Sequence, residues 1–372
     1  MKIITKTVEY HGAAALPENA LFFDIETTGL SPQHAQIYLI GCMRAEGRML
    51  YLTQWLDETG SGEQEILRAF AASVTGFETL VHFNGAQFDL PFAAKRLALY
   101  GITDPLPALR SLDLYQCVYP FKNILGLPNY RQQTLEALFD SGRAEHMSGG
   151  DLIPVYLDYV RTGREDLRDR VLFHNEADLQ GLLALLPLRA FGALRDAKLQ
   201  IDKAYLRDYP DVKGNVRQEL IMLFQLSSPA LPQPVAASYD GCYLRIRERN
   251  GILKVPVLSG ELRLYYEDYR NYFYVPEMDE AVHKSVSSFL DSARREKATA
   301  ATAYTRRQGL FLPQYSFRAT KKRPALLPVS EVSFVRSYGD DSQFLELTPQ
   351  RRSDKVFFER YAAHILHAVL WH

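Results

Sequence analysis

The run Leu21-Phe22-Phe23-Asp24-Ile25-Glu26 constrains this chain more than any other stretch: three apolar residues lead straight into two carboxylates set one residue apart. Apolar and aromatic residues in such a run read as a strand. Successive side chains of a strand alternate faces, so Asp24 and Glu26 share one face while Phe23 and Ile25 take the other. A fold that buries Phe23 and Ile25 must hold two like charges side by side. Each raises the other's pKa unless positive charge lies between them. The pair therefore predicts a cation at the end of this strand.

Beyond this strand, strand and helix signals alternate. QIYLIGCMRA and RMLYLTQWL are short β-rich runs, with Glu46-Gly47 between them reading as a hairpin turn. Gly62 to Phe77 has helical spacing, Thr79 to Phe83 reads as a buried strand, and Asp89 to Leu99 returns to helix. A long helix is expected from Asp166 to Leu188, with Asp166 as its cap and Pro187 near its end. Strands that meander first and βα units afterwards predict an α/β fold, a mixed sheet flanked by helices.

At 372 residues and 42.4 kDa the chain is long enough for two domains. The border is expected near residue 195, where KLQIDKAYLRDYPDVKG turns polar, giving domains at 1–195 and 196–372. Charge divides there too. Residues 1–194 carry 16 Lys and Arg against 23 Asp and Glu, and residues 195–372 carry 27 against 21. Within 284–323 the balance is ten basic to two acidic residues, a bias that attracts phosphates. This second domain is expected to be α+β and β-rich. YLRIRERNG and GILKVPVL suggest a hairpin turning at Asn250-Gly251, with Arg245, Arg247 and Arg249 along one strand face. Val282, Val286, Phe289, Leu290 and Ala293 suggest one apolar helix face.

The three cysteines, Cys42, Cys117 and Cys242, are scattered singly, so neither a disulfide framework nor a zinc site is suggested. The first residues lack the apolar core of a signal peptide, and the run LLALLPL is too short to span a bilayer. The expectation is a cytoplasmic protein with no membrane partner.

Two further acidic motifs come after the first. VHFNGAQFDLPF, residues 81–92, puts Asn84-Gly85 after a strand and Asp89 at the start of a helix. Alone, these would read as a turn and a cap. VLFHNEADLQGLLALL, residues 171–186, sets His174 and Asp178 one helical turn apart, on the flank of an apolar arc formed by Leu172, Leu179, Leu182, Leu183 and Leu186. A helix laid on a sheet leaves that flank at the rim, where a cleft can reach it. Asp113, in SLDLYQ, reads as a capping or turn residue.

In this order the three motifs resemble the DEDD family of 3′→5′ exonucleases in the ribonuclease H-like superfamily. NGAQFDLPF paired with HNEADLQGL is most similar to the bacterial YprB-type ribonuclease H-like domain proteins. The resemblance covers roughly residues 20–190. It implies a nuclease that hydrolyses phosphodiester bonds at nucleic-acid ends with two Mg²⁺ or Mn²⁺ ions, which hard carboxylate oxygens suit. Asp24, Glu26, Asp89 and Asp178 would be the metal ligands, and His174 would take a proton from the attacking water. The sequence departs from the family at one point. The proofreading branch sets its histidine five positions before the last aspartate, whereas the tyrosine branch uses four; here a histidine stands at the four-residue interval, so the imidazole would reach the attacking water by a different geometry.

Nucleic acid, single-stranded or with a free 3′ end, is the implied partner. Thr27, Thr28 and Asn84 would contact it near the acids, and Arg245, Arg247, Lys321 and Lys322 in the basic, tyrosine-rich second domain would hold it further along. Tyr265, Tyr266, Tyr272 and Tyr274 offer stacking faces or fill a β core. A protein partner could dock on the second domain instead. The rival functions are a structure-specific endonuclease on the same fold and a non-catalytic nucleic-acid-binding module.

Overall fold

The computed structural model describes residues 1–12, 15–139, 147–286, 291–320 and 325–371, which fall into two compact units, Met1–Gly192 and Ala193–His372. In the first unit the elements are β1 (Lys2–Glu9), β2 (Ala20–Thr27), β3 (Ile37–Glu46), β4 (Met49–Leu56), α1 (Glu63–Ser73), β5 (Thr79–His82), α2 (Asp89–Leu99), β6 (Arg110–Asp113), α3 (Leu114–Val118), α4 (Lys122–Leu125), α5 (Gln132–Glu136), α6 (Gly149–Thr162), α7 (Glu165–Leu185) and α8 (Arg189–Ala193). Six strands form one sheet in the order β1-β4-β3-β2-β5-β6. The meander β2-β3-β4 and the edge strand β1 are antiparallel, whereas β2-β5-β6 run parallel through α1 and α2, as the switch from hairpin to βα signals predicts.

Alternation along β2 sets the layers. Leu21, Phe23 and Ile25 enter a core with Ile66, Leu67 and Phe70 of α1 and Phe92, Ala93 and Leu97 of α2. The other face of the sheet is covered by α6 and α7, where Tyr38 and Leu39 of β3 pack with Leu152, Tyr156 and Val171. Glu63 is buried and ties the first layer together. Its carboxylate accepts from Arg96 Nε (2.8 Å), Arg96 Nη2, Tyr100 Oη (2.9 Å) and the Ile37 backbone N–H (2.7 Å).

By length and composition alone, Glu165–Asp196 could cross a bilayer. Its Glu165–Leu185 part is the core helix α7 of the first unit, with His174, Asn175 and Glu176 buried beside its leucines. Asp166 is not its cap as expected. Arg164 is, and Asp166 lies in the first turn, paired to the Arg164 guanidinium.

The second unit is mostly antiparallel sheet: β7 (Leu199–Pro210), β8 (Val216–Leu226), β9 (Val235–Tyr239), β10 (Cys242–Arg247), β11 (Asn250–Tyr265), β12 (Tyr272–Val275), β13 (Glu280–His283), β14 (Glu296–Lys297), β15 (Tyr304–Gln314) and β16 (Gln343–Glu346), then α9 (Pro349–Arg352) and α10 (Lys355–Trp371). The long β11 pairs with β8 and β10 through its first half and with β15 through its second, and α10 lies against β7, β9, β10 and β11.

Three expectations are corrected here. The β10–β11 hairpin turns at Glu248-Arg249, not Asn250-Gly251, because Gly251 is used for packing: a Cβ there would sit 2.0 Å from Phe224 Cζ. Arg249 consequently belongs to the turn, leaving Arg245 and Arg247 on the exposed face of β10. The helix built on Val282 and Ala293 is also wrong. Val282 lies opposite Phe273 in the β12–β13 hairpin, and Ala293 sits in a three-residue turn, so their helical spacing is accidental. Phe289 and Leu290 lie outside the described residues, as do Lys321 and Lys322.

Candidate metal site

Asp24 and Glu26 end β2 beside α7, on the face opposite Phe23 and Ile25. His174 Nε2 stands 3.7 Å from Glu26 Oε1 and 3.1 Å from Asp178 Oδ2. Ligand atoms of Glu26, His174 and Asp178 all lie within 4.8 Å of one another, close enough to hold one cation. Asp24, Glu26, Asp89, His174 and Asp178 line a single cleft of about 720 Å³, together with Thr27 and Asn84. Thr28 is not among the lining residues; its hydroxyl accepts from the Gln36 backbone N–H at 3.0 Å and closes the turn after β2. Arg245 and Arg247 belong to the second unit.

Burial and mutual repulsion dominate the electrostatics of the acid cluster. Burial, then the charges of Asp178, Glu26 and Asp89, push the Asp24 carboxyl well above its ordinary range, relieved in part by the Asn175 amide. Asp89 is pushed up to about 7, chiefly by burial, against hydrogen bonds from the backbone at Asp89 and Ile25. Hard oxygen donors with one imidazole and no thiolate suit Mg²⁺ or Mn²⁺.

Two supports of this cluster escaped sequence reasoning, and a third, Asp113, was read there only as a cap or turn. Asn175 Nδ2 donates to Asp24 Oδ2 at 2.8 Å, and its Oδ1 accepts from Gln54 Nε2 at 2.9 Å. Both Gln54 and Asn175 are fully buried. Gly41 makes room for this relay, since a Cβ there would lie 2.0 Å from Asn175 Oδ1. The signals were present: Gln54 comes after Leu50 and Leu52 at strand period, and Asn175 falls among the leucines of α7 at helical period. A polar residue at a core position must find partners.

Second, Asp113 does cap α3, accepting from Tyr115 N–H and Gln116 N–H, and it also accepts from Asn84 N–H (2.8 Å) and Ala86 N–H (3.3 Å). It thereby fixes the loop that carries Asp89. In that loop Asn84 adopts φ of 58°, and a Cβ on Gly85 would sit 2.7 Å from His82 Nδ1 and 3.1 Å from Asp89 Oδ2. Third, α5 packs over Gly181, and Gln132 Nε2 donates to the Asp178 carbonyl at 2.8 Å.

Residues 21–188 match the sequence model of the RNase_H superfamily. Curated proteins yielded no match. Solved structures with some similarity include product-bound exonuclease I, at 15% identity and TM-score 0.31 over 56% of this chain and 58% of that one. E. coli exonuclease I in complex with a dT13 oligonucleotide matches at 15% and 0.31, over 55% of this chain and 54% of that one. The family B DNA polymerase of the archaeon Pyrobaculum calidifontis matches at 13% and 0.39, over 94% and 46%. This chain thus spans only part of the length of each. The matched segment and the helix-flanked mixed sheet make the first unit an RNase H-like domain.

Proposed function

We propose that this protein is a divalent-metal-dependent nuclease that acts as a 3′→5′ exonuclease on nucleic-acid ends. One observation carries the reading: carboxylates from β2, α2 and α7 converge with His174 on one cleft, where the carboxyls of Asp24 and Asp89 are held above their normal range. The donor set fits two hard cations, with Asp24, Glu26, Asp89 and Asp178 as the residues that would hold them. When bound, such ions supply charge neutralisation and Lewis acidity at phosphorus, a reaction among the slowest uncatalysed ones.

The chain's own residues do the rest. Asn175 orients Asp24 by holding its Oδ2 at 2.8 Å. His174 Nε2, which contacts Asp178 and Glu26 in this structure, is the atom that takes a proton from the attacking water. Its four-residue spacing keeps the imidazole one turn above Asp178 on the same helix flank. The Thr27–Leu30 turn borders the same cleft, where a terminal sugar would come to rest. Polarity follows from the likeness of the three motifs to the DEDD enzymes.

The test is digestion of DNA and RNA oligonucleotides labelled at the 5′ or the 3′ end, in Mg²⁺, Mn²⁺ or chelator. Release of 3′-label as mononucleotide, dependent on metal and abolished by Asp24→Asn, is expected. Hydrolysis that survives Asp24→Asn would refute the site, and cleavage of circular strands would replace the exonuclease by an endonuclease.

A further inference from the structure

Beside the acids, the same cleft is lined by Phe83, Tyr115, Tyr119 and Tyr130, of which only Phe83 falls within an acidic motif. Their rings form a continuous series. Phe83 meets Tyr115 edge to face at 5.6 Å, Tyr115 stacks on Tyr119 at 4.8 Å, and Tyr119 meets Tyr130 edge to face at 6.0 Å. A core cluster would bury such rings, yet Tyr119 is 37% exposed and the other three are half-buried. Lys122 Nζ lies 4.8 Å above the Tyr119 ring. Arg131, exposed next to Tyr130, is the single Lys or Arg among the described residues that line the cleft.

We propose that Phe83, Tyr115, Tyr119 and Tyr130 form a base-stacking wall that holds the last unpaired nucleotides of a strand, with Arg131 on their phosphates. The proposal deepens the nuclease reading and rests on it for the reason a strand enters the cleft. Aromatic faces accept any base, because every base has a π face, so the wall is blind to sequence and to the 2′-hydroxyl. It requires bases that are free of a complementary strand. The cleft thus separates two tasks: rings and one guanidinium hold the strand, while the acids at its other lining residues leave their charge for metal.

Binding of a fluorescent dT or rU 12-mer is measured by anisotropy with the full chain carrying Asp24→Asn, so that the probe survives. Adding Tyr119→Leu or Tyr130→Leu weakens binding roughly 5- to 150-fold for each base that loses its platform, and Tyr119→Phe restores it. Leu157→Ala, exposed on α6, has no effect. An abasic 12-mer binds more weakly and no longer distinguishes the leucine variants from their parent. Arg131→Gln lowers the slope of log affinity against log salt by about one. Leucine variants that bind as the parent does, or that lose as much on the abasic probe, overturn the wall. Ring-dependent binding by a wild-type chain that hydrolyses no labelled strand upholds the wall and sinks the nuclease reading alone; hydrolysis with ring-independent binding does the reverse.

Discussion

Replacing Asp89 by asparagine should stabilise the metal-free protein, against the usual sign for a substitution in a candidate active site. The carboxyl is pushed from 3.8 to about 7 in the folded state. A raised folded pKa means that the native state binds more protons than the unfolded chain across that window. Stability is then complete below pH ~4, declines as pH climbs towards 7, and stays low above it. At about 1.4 kcal/mol per unit the whole loss is bounded near 4 kcal/mol. Asp24 adds to the same trend, being raised for the same reasons. Asparagine keeps one acceptor oxygen for the backbone donors and cannot ionise. In chelator at pH 8, Asp89→Asn should therefore gain up to about 4 kcal/mol, or roughly 8–16 °C in melting temperature for a unit of this size. Trp55 lies in the first unit and Trp371 in the second, so urea unfolding read from Trp55 fluorescence in a Trp371→Phe background isolates the right unit. Excess Mn²⁺ should narrow the gap, since ligand at 100 times its dissociation constant adds about 2.7 kcal/mol to the form that binds it. The reasoning fails if the variant is no more stable than its parent at pH 8 in chelator, or if the gap persists below pH 4.

Asn175→Leu keeps shape but removes the donor to Asp24 and the partner of Gln54. Turnover or metal affinity should drop roughly 10- to 100-fold, with circular dichroism unchanged. Gly41→Ala should do the same by pushing Asn175 aside, and should also cost about 1–3 kcal/mol in urea unfolding. Glu63→Gln strands the Arg96 guanidinium in the core between α1 and α2 and should destabilise the first unit by about 3–5 kcal/mol; a loss under 1 kcal/mol would show that water or Pro32 satisfies the arginine.

The acids and their elements were legible because their signals are local. Period two along β2 separates Asp24 from Phe23, a turn and an apolar run frame Asp89, and a 3.6-residue period groups His174 with Asp178. Elements whose stability comes from packing were not. The segment that becomes α6 opens with two glycines and contains Pro154, and it is helical because Leu152, Tyr156 and Tyr159 fill the core, with Tyr156 stacked on Tyr38 at 3.9 Å. Strand β1 has little apolar alternation since most of it is exposed at the sheet edge. In the second unit, Asn-Gly is the commonest sequence sign of a hairpin turn, but the space beneath Phe224 claimed Gly251 and moved the turn two residues earlier.

The residues that hold the acids were the least visible, and charge explains why. The charges that bear on Asp24 are three other carboxylates, and what relieves it is a neutral amide. A lysine or arginine in that place would have announced itself in the sequence as an ion-pair partner, and it would have filled the position a cation needs. A neutral donor fixes a carboxylate without quenching it. Such a donor has to be buried and braced, which requires Gln54 on one strand, Gly41 on the next and Asn175 on a helix, more than a hundred residues apart along the chain from first to last. Only the folded sheet brings these three together, so the part of the site that preserves its negative charge is the part least open to reading from local pattern.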